Sequence, residues 1–253
     1  MTNFASQALV PWSTLVAQAH PGWVGVNTQD KVLEACYQPL CQDPEQPWVL
    51  AQMGQSLDGR IALSNGVSRG LNGPAGEAHL HRLRALVDVV VIGSTTAEVD
   101  DPKLTVRAVA GPNPVRVIID RQGRLNEGLQ VFQDNRVPTL QLVGGVIKHS
   151  RQRSIPELLD TQPGVAERAV LAALRAEGLH RVLIEGGGKT VSRFMQSGLV
   201  DRLHITVSPI ILGSGTPAFT LAPITDLAAA WQGRCRRFEL AQDTLFDLDL
   251  SRP

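Results

Sequence analysis

The sequence predicts an α/β fold: a three-layer arrangement in which a mixed, mostly parallel sheet carries helices on both faces. Short runs rich in Val, Leu and Ile alternate with amphipathic segments of helix length, which is typical of parallel strands joined by crossover helices. The chain has 253 residues, of which 43% are apolar, and this is enough for one sizeable core.

Each predicted element rests on a local pattern. The strands are apolar runs, at residues 48–53, 87–93, 115–120, 139–143, 181–184, 203–211 and 237–250. The helices follow the helical spacing of apolar side chains, and Gly178 and Gly198 end two of them. These helices lie at residues 76–86, 165–177 and 189–197. We expect the last strands to add antiparallel pairs at one edge of the sheet.

Residues 1–46 differ from the rest of the chain, because several prolines interrupt them and no period is sustained. They predict an N-terminal extension, with a short helix near residues 13–19, packed on a main domain of residues 47–253. A structural arm or a dimer contact is favoured over a substrate lid, since such segments vary freely.

Composition excludes several classes of function. Lys plus Arg and Asp plus Glu number 24 each, so no overall field favours nucleic acid or an anionic membrane. No apolar run approaches the length of a membrane span. Three cysteines (Cys36, Cys41 and Cys235) without a signal peptide favour the reducing cytoplasm. No metal site is predicted, since His79 and His81 point to different helix faces and Cys36 and Cys41 lack a second ligand pair.

A glycine triplet is the strongest local signal. An apolar strand runs through Glu185 into Gly186, Gly187 and Gly188, and a helix then begins with Lys189 and Thr190. Glycines allow close backbone approach, and the first N–H groups of a helix attract an anion such as a diphosphate. A nucleotidase P-loop is rejected, because Leu183 stands where that motif requires glycine. The alternative is a tight turn without a ligand.

A second polar constellation follows the predicted strand at residues 87–93. It contains Thr96, Asp100, Asp101 and Arg107, at the carboxyl end of a strand, where open α/β sheets bind ligands. Paired acids beside an arginine can orient a polar substrate and donate a proton. The alternative is an Asp-Pro turn with a solvated acid.

Several motifs together resemble one family, the riboflavin-biosynthesis reductases. They are S-L-D-G-R-I-A at residues 56–62, R-L-R-A at 82–85, V-I-G-S-T-T-A-E-V-D-D-P-K-L-T-V-R at 91–107, I-E-G-G-G at 184–188 and G-L-V-D at 198–201. The resemblance covers about residues 47–250. It implies a dihydrofolate-reductase-like fold and NADPH-dependent reduction of 5-amino-6-(5-phosphoribosylamino)uracil to the ribitylamino product. It also implies a homodimer with a small phosphorylated substrate.

The resemblance also assigns roles to residues. Asp100 and Glu185 are the predicted catalytic residues. The predicted substrate-binding residues are Gln52, Asp58, Ser68, Arg84, Leu104 and Arg107, of which Ser68, Arg84 and Arg107 hold the phosphate. The predicted cofactor-binding residues are Asn72, Thr96, Asp120, Arg121, Arg124, Gly186, Gly187, Gly188, Lys189 and Thr190. Arg121 and Arg124 follow the strand at 115–120, where a 2′-phosphate needs a cation.

The sequence departs from the family pattern at two places. Gln52 replaces a lysine of the bifunctional bacterial enzymes, and residues 69–73 replace a tryptophan-containing turn. Residues 1–46 carry neither H-x-E nor P-C-x-x-C, so a stand-alone reductase without the zinc deaminase is expected. Two alternatives stay open: a reductase of the same fold for a pterin, folate-like or secondary-metabolite substrate, and a non-catalytic nucleotide-binding protein.

Overall fold

The computed structural model describes residues 8–23, 31–41 and 46–251. Within these residues the main sheet has nine strands. They are β3 (Trp48–Ser56), β5 (Val89–Gly93), β6 (Val115–Ile119), β7 (Thr139–Val143), β8 (Gln152–Ser154), β9 (Arg181–Glu185), β10 (Arg202–Ser208), β12 (Arg234–Leu240) and β13 (Asp243–Asp249). Two small sheets pair β1 (Leu9–Pro11) with β2 (Lys31–Leu33), and β4 (Arg60–Ala62) with β11 (Thr216–Pro217).

The main sheet is mostly parallel. Its order is β12-β13-β10-β3-β9-β5-β6-β7-β8, and the strands from β10 to β8 pair in parallel. Antiparallel pairing is confined to β13, which joins β10 on one side and β12 on the other. The carboxyl ends of β3, β9, β5 and β6 therefore lie side by side at one edge of the central sheet.

Helices cover both faces of the sheet. The helices are α1 (Trp12–Ala19), α2 (Glu34–Tyr37), α3 (Pro74–Leu86), α4 (Ser94–Asp100), α5 (Gln130–Gln133), α6 (Val165–Ala176) and α7 (Gly188–Gln196). One core contains side chains of α1 and α3 with Leu50 and Leu183, and the other contains side chains of α6 and α7 with Val49 and Val182. Successive residues of β3 and β9 thus enter opposite cores, which explains their unbroken apolar runs.

These observations confirm the predicted fold class, and every helix and strand predicted between residues 47 and 236 has a counterpart. The one strand predicted at residues 237–250 is wrong, because the chain forms the hairpin β12–β13 there. The turn of this hairpin includes Ala241 at φ 56°. Alanine rarely adopts a positive φ, so the sequence does not indicate a turn there. Among the described residues, no helix is long and apolar enough to cross a membrane.

The N-terminal residues that the structure describes pack against the main domain. The helix predicted at residues 13–19 is α1, and Trp12, Leu15 and Val16 on it are buried. The Trp12 indole N–H donates to the carbonyl of Ala110 at 2.6 Å. The hydroxyl of Tyr37 forms a 2.8 Å hydrogen bond with Nδ1 of His79 on α3. These contacts give this segment a structural role in the core beneath α3.

Candidate active site

A cavity of about 1450 Å³ lies at the carboxyl ends of β3, β9, β5 and β6. This volume exceeds the usual range for a drug-sized ligand and suits two ligands side by side. The predicted site residues that line it are Gln52, Ser68, Asn72, Arg84, Thr96, Asp100, Leu104, Arg107, Asp120, Arg121, Glu185, Gly186, Gly187, Gly188, Lys189 and Thr190. Asp58 and Arg124 lie outside the lining.

The glycine turn forms one wall of the cavity. Gly186 and Gly187 adopt φ values of 68° and 69°, in the left-handed region that favours glycine. A Cβ at Gly187 would lie 2.6 Å from Oγ1 of Thr96, and a Cβ at Gly188 would lie 2.5 Å from the carbonyl of Ala218. Side chains are thus excluded on both sides, and the backbone at the start of α7 is open to the cavity.

A buried ion pair joins Arg84 on α3 to Glu185 at the end of β9. Nε of Arg84 donates to one carboxylate oxygen at 2.8 Å, and Nη2 donates to the other. Nη1 donates to the carbonyl of Thr105 at 3.1 Å. Arg84 and Glu185 are 4% and 8% exposed, so little of either side chain is free for solvent. The guanidinium predicted to hold a phosphate is instead occupied by protein acceptors.

Asp100 lies across the cavity at the end of α4. One of its carboxylate oxygens accepts a hydrogen bond from the Ser68 hydroxyl at 3.0 Å. The loop that follows contains two residues in the left-handed region, Asp101 at φ 39° and Leu104 at φ 53°. Gln130 supports the first of them, donating its backbone N–H to the Asp101 carboxylate at 2.7 Å. Strained backbone at a cavity wall is common where the surrounding structure fixes a functional loop.

Arg107 is the exposed member of the predicted phosphate group. Its side chain is 53% exposed, and Nη2 lies 3.5 Å from Oε1 of Glu77. Its backbone N–H donates to Nδ1 of His81 at 2.9 Å. The predicted clamp of Arg84 and Arg107 around one anion therefore differs from the structure, in which Arg84 is paired with Glu185 and Arg107 faces the cavity.

The predicted cofactor residues near β6 separate into two groups. Asp120 is buried, and its carboxylate accepts hydrogen bonds from the backbone of Gly123 and Leu125 and from Nε2 of Gln141, at 3.1, 3.0 and 2.8 Å. Asp120 thus shapes the turn after β6. Arg121 lines the cavity and donates to the carbonyl of Asp160 at 3.1 Å, whereas Arg124 is exposed outside it.

Two further predicted residues are engaged by the protein. Nδ2 of Asn72 donates to the Ser208 hydroxyl at 2.9 Å. The carboxylate of Asp58 accepts hydrogen bonds from the Ser56 hydroxyl at 2.6 Å and from the backbone N–H groups of Leu212 and Gly213 at 3.0 and 2.7 Å. These hydrogen bonds, that of Ser56 first, lower the pKa of Asp58 to about 2. Asp58 thus connects the end of β3 to the loop at residues 212–213, and its substrate contact stays a prediction.

The family assignment rests on a match that spans most of the chain. The sequence profile of the RibD C-terminal domain matches residues 47–242, which carry every residue of the cavity named above. The chain belongs to the RibD C-terminal domain family. This membership confirms the predicted resemblance to the riboflavin-biosynthesis reductases and the predicted assignment of the chain as an oxidoreductase.

Relatives of this RibD C-terminal domain include a named reductase and a riboflavin biosynthesis protein. The chain is 30% identical over 216 residues to the 2,5-diamino-6-ribosylamino-4(3H)-pyrimidinone 5′-phosphate reductase of Methanothermobacter thermautotrophicus, covering 80% of this chain and 97% of that protein. It is 27% identical over 175 residues to the riboflavin biosynthesis protein RibD of Aquifex aeolicus, covering 68% of this chain and 49% of that one. The chain thus spans about half the length of that RibD protein.

A solved structure shares the fold. The deaminase/5-amino-6-(5-phosphoribosylamino)uracil reductase of Thermotoga maritima is 25% identical with a TM-score of 0.69, covering 81% of this chain and 57% of that one. This similarity confirms the dihydrofolate-reductase-like fold. The RibD C-terminal domain here also carries polar groups that the sequence did not single out.

Sequence reasoning missed four of these cavity residues. Arg193 and Glu167 form an ion pair at 2.5 Å between α7 and α6, and Glu77 and Gln130 also line the cavity. The spacing of Glu77, His81 and Arg84 at i, i+4 and i+7 on one helix face was the available signal. Among the described residues, no group of three or more His, Cys, Asp or Glu side chains could hold a metal ion.

Proposed function

We propose that this RibD C-terminal domain uses NADPH to reduce 5-amino-6-(5-phosphoribosylamino)uracil to the ribitylamino product. One observation carries the proposal: a glycine turn at a helix start, an exposed arginine and the carboxylates of Asp100 and Glu185 line the same cavity. The turn suits a diphosphate and the arginine suits a phosphate monoester. A reductase with a phosphorylated substrate needs both.

The cofactor half of the proposal rests on the glycine turn. The positive φ of Gly187 and the close contact with Thr96 exclude a side chain there, so backbone lines the cavity at the start of α7, where the helix dipole favours a diphosphate. Lys189 supplies a cation next to this position, and Arg121 supplies one at the end of β6 for a 2′-phosphate. NADPH, when bound, supplies the hydride.

The substrate half rests on Arg107, Asp100 and Glu185. Arg107, which is exposed and lies 3.5 Å from Glu77, is the cation that meets the substrate phosphate, while Ser68 and Asp100 form a polar pair for the ribosyl hydroxyl groups. The open-chain sugar presents a C=N bond, whose carbon receives the hydride and whose nitrogen receives a proton, giving an amine. Both carboxylate oxygens of Glu185 accept hydrogen bonds from Arg84, so Glu185 orients the sugar chain of the substrate and does not donate the proton. The proton comes from Asp100 or from water.

The reaction is tested by following the loss of NADPH absorbance with three substrates. We expect turnover with the phosphoribosylaminouracil and little with its dephosphorylated form. The third substrate is the 2,5-diamino pyrimidinone 5′-phosphate for which the Methanothermobacter relative is named. Faster turnover of that compound would show that the preferred substrate is the pyrimidine that has not been deaminated. Turnover of a pterin with none of either phosphorylated compound would refute the proposal.

We further propose a homodimer that works in the cytoplasm. The family resemblance supports the dimer, and apolar side chains exposed after β10, namely Ile211, Leu227 and Trp231, offer contact surface. Cys36, Cys41 and Cys235 are free thiols, which supports a reducing compartment. Light scattering on a size-exclusion column is expected to give twice the 27.3 kDa of one chain, and a monomeric mass would contradict the dimer.

A further inference from the structure

His81 has two backbone N–H groups on one ring nitrogen. Its Nδ1 accepts the N–H of Arg107 at 2.9 Å and that of Ala108 at 3.4 Å, 26 and 27 residues along the chain. The imidazole is 1% exposed and lies on α3 beneath the segment that holds Arg107. It lies outside the cavity lining, so its influence on a ligand passes through Arg107.

We propose that neutral His81 is a positioning residue, which fixes the backbone of Arg107 so that the guanidinium meets the phosphate of the substrate. The inference rests on the proposed function, because it takes Arg107 to be the group that binds this phosphate. It adds a residue that the family resemblance did not assign. His81 is not a catalytic residue, since it contacts neither the cavity nor the reacting atoms.

The segment around Arg107 depends on side chains for its position. No strand of the described structure includes residues 105–108. Arg84 holds the carbonyl of Thr105 at 3.1 Å, and Oδ1 of Asn113 accepts the N–H of Val106 at 2.7 Å. His81 then receives the N–H groups of Arg107 and Ala108. Loss of that acceptor would leave two amides unpaired at the point where the arginine side chain begins.

Glu77 fixes the other end of the same arginine. Its Oε1 lies 3.5 Å from Nη2 of Arg107 and 3.8 Å from Nε2 of His81. With Nδ1 accepting, the ring proton of neutral His81 is on Nε2 and points toward this carboxylate. One imidazole thus supports the Arg107 backbone and also faces the carboxylate that pairs with the Arg107 side chain.

The charge of the imidazole decides whether this arrangement holds. A protonated ring carries N–H on both nitrogens and would oppose the two amides at Nδ1. Three charged groups face His81: Glu77 and Arg84 from α3, and Arg107 from the 105–108 segment. Burial, followed by the charges of Arg84 and Arg107, lowers the pKa of His81 to about 4, so the ring is neutral at pH 7.

The test compares three substitutions at His81. In His81→Asn, the amide oxygen occupies nearly the position of Nδ1 and can still accept both N–H groups. In His81→Leu the acceptor is lost, and in His81→Gln it moves beyond the two amides. His149→Leu, which removes a histidine outside the cavity lining, is the matched control. Circular dichroism identifies variants that fold, and His81→Gln serves if His81→Leu does not.

The readout is the KM for phosphorylated and dephosphorylated substrate, together with the Kd of NADPH. His81→Leu and His81→Gln should raise the KM for the phosphorylated substrate by up to about tenfold, as expected for the loss of a partly buried hydrogen bond. The KM for the dephosphorylated substrate and the Kd of NADPH should not change. His81→Asn and His149→Leu should behave as the native enzyme does.

Two failures of this experiment have different meanings. If the native enzyme does not distinguish the two substrates, the proposed role of Arg107 and the phosphate fails. If the native enzyme distinguishes them and His81→Leu or His81→Gln does so equally well, the inference about His81 is wrong. Equal losses for His81→Asn and His81→Leu, or a loss that is the same for both substrates, would also overturn it, because each indicates a general structural effect.

Discussion

Arg84 and Glu185 lie 101 residues apart in sequence and meet in a two-point ion pair at the wall of the cavity. The remaining nitrogen of the guanidinium donates to the carbonyl of Thr105. One arginine therefore joins α3, the end of β9 and the loop that leads to Arg107. The cavity wall depends on this connection.

Arg84→Ala should lower the free energy of unfolding by about 3–5 kcal/mol, because it leaves the buried carboxylate of Glu185 unpaired. Arg84→Lys should lose less, since a lysine keeps the charge but cannot donate to both oxygens. Urea unfolding measures the difference. The matched control is Arg153→Ala, in the exposed pair with Glu177, which should cost less than about 1 kcal/mol. Equal costs for the two alanine variants would contradict the structural role of Arg84.

Gly187→Val should weaken NADPH binding by more than about tenfold, because the new side chain meets Thr96 and closes the approach to the diphosphate. Gly178→Val is the matched control. Gly178 has a similar φ of 76°, with no atom within 4 Å of its Cβ position, and it ends α6 away from the cavity. Both variants should lose stability, but titration calorimetry should find the cofactor effect in Gly187→Val alone. Normal NADPH binding by Gly187→Val would make the turn purely structural.

Arg121→Gln should weaken NADPH binding about tenfold and leave NADH unchanged, since a charge-assisted contact to the 2′-phosphate contributes roughly 1.5–3 kcal/mol. Arg124→Gln should change neither affinity, because Arg124 lies outside the cavity lining. The sequence assigned both arginines to this phosphate, but of the two only Arg121 lines the cavity. Competition binding with both cofactors is the measurement. Equal native affinity for NADPH and NADH would refute the assignment of Arg121.

The features that sequence reasoning predicted are those set by local physics. The strand Arg181–Glu185 is buried at every position, and the unbroken apolar run at residues 182–184 within it indicates a central strand. The glycine turn that follows can be predicted without knowing its tertiary contacts, because three consecutive glycines by themselves indicate a turn without side chains.

The features that it missed depend on partners distant in sequence. Nothing near Arg84 indicates that Glu185 rather than a ligand occupies its guanidinium, and nothing near Asp58 indicates that Leu212 and Gly213 donate to it. The positive φ of Leu104 also could not be predicted from the sequence, because leucine does not favour that conformation.

Acid should destabilise the protein through its buried histidines. Burial lowers the pKa of His81 to about 4 and that of His79 well below 6.5. Between pH 6.5 and 4 the unfolded chain binds these protons and the native state does not, so the free energy of unfolding falls as the pH falls. Each histidine adds a slope of up to about 1.4 kcal/mol per pH unit in this window.

Urea unfolding at a series of pH values checks this slope, and His81→Asn should make it shallower. The lowered pKa of Asp58 acts at lower pH: its contribution is present above 3.8 and is lost as the pH falls toward about 2. An unfolding free energy that is constant from pH 6.5 to 4 would show that the histidines are not buried in their neutral form.

The transfer of hydride to the sugar-derived carbon is the central claim, and isotope transfer tests it most directly. The enzyme is incubated with phosphoribosylaminouracil and NADPH that carries deuterium at both positions of the reactive carbon, and the product is analysed by mass spectrometry. The account predicts a ribitylamino product that contains one deuterium on its former C=N carbon. A reduced product without deuterium, or oxidation of NADPH with no ribitylamino product, would contradict it.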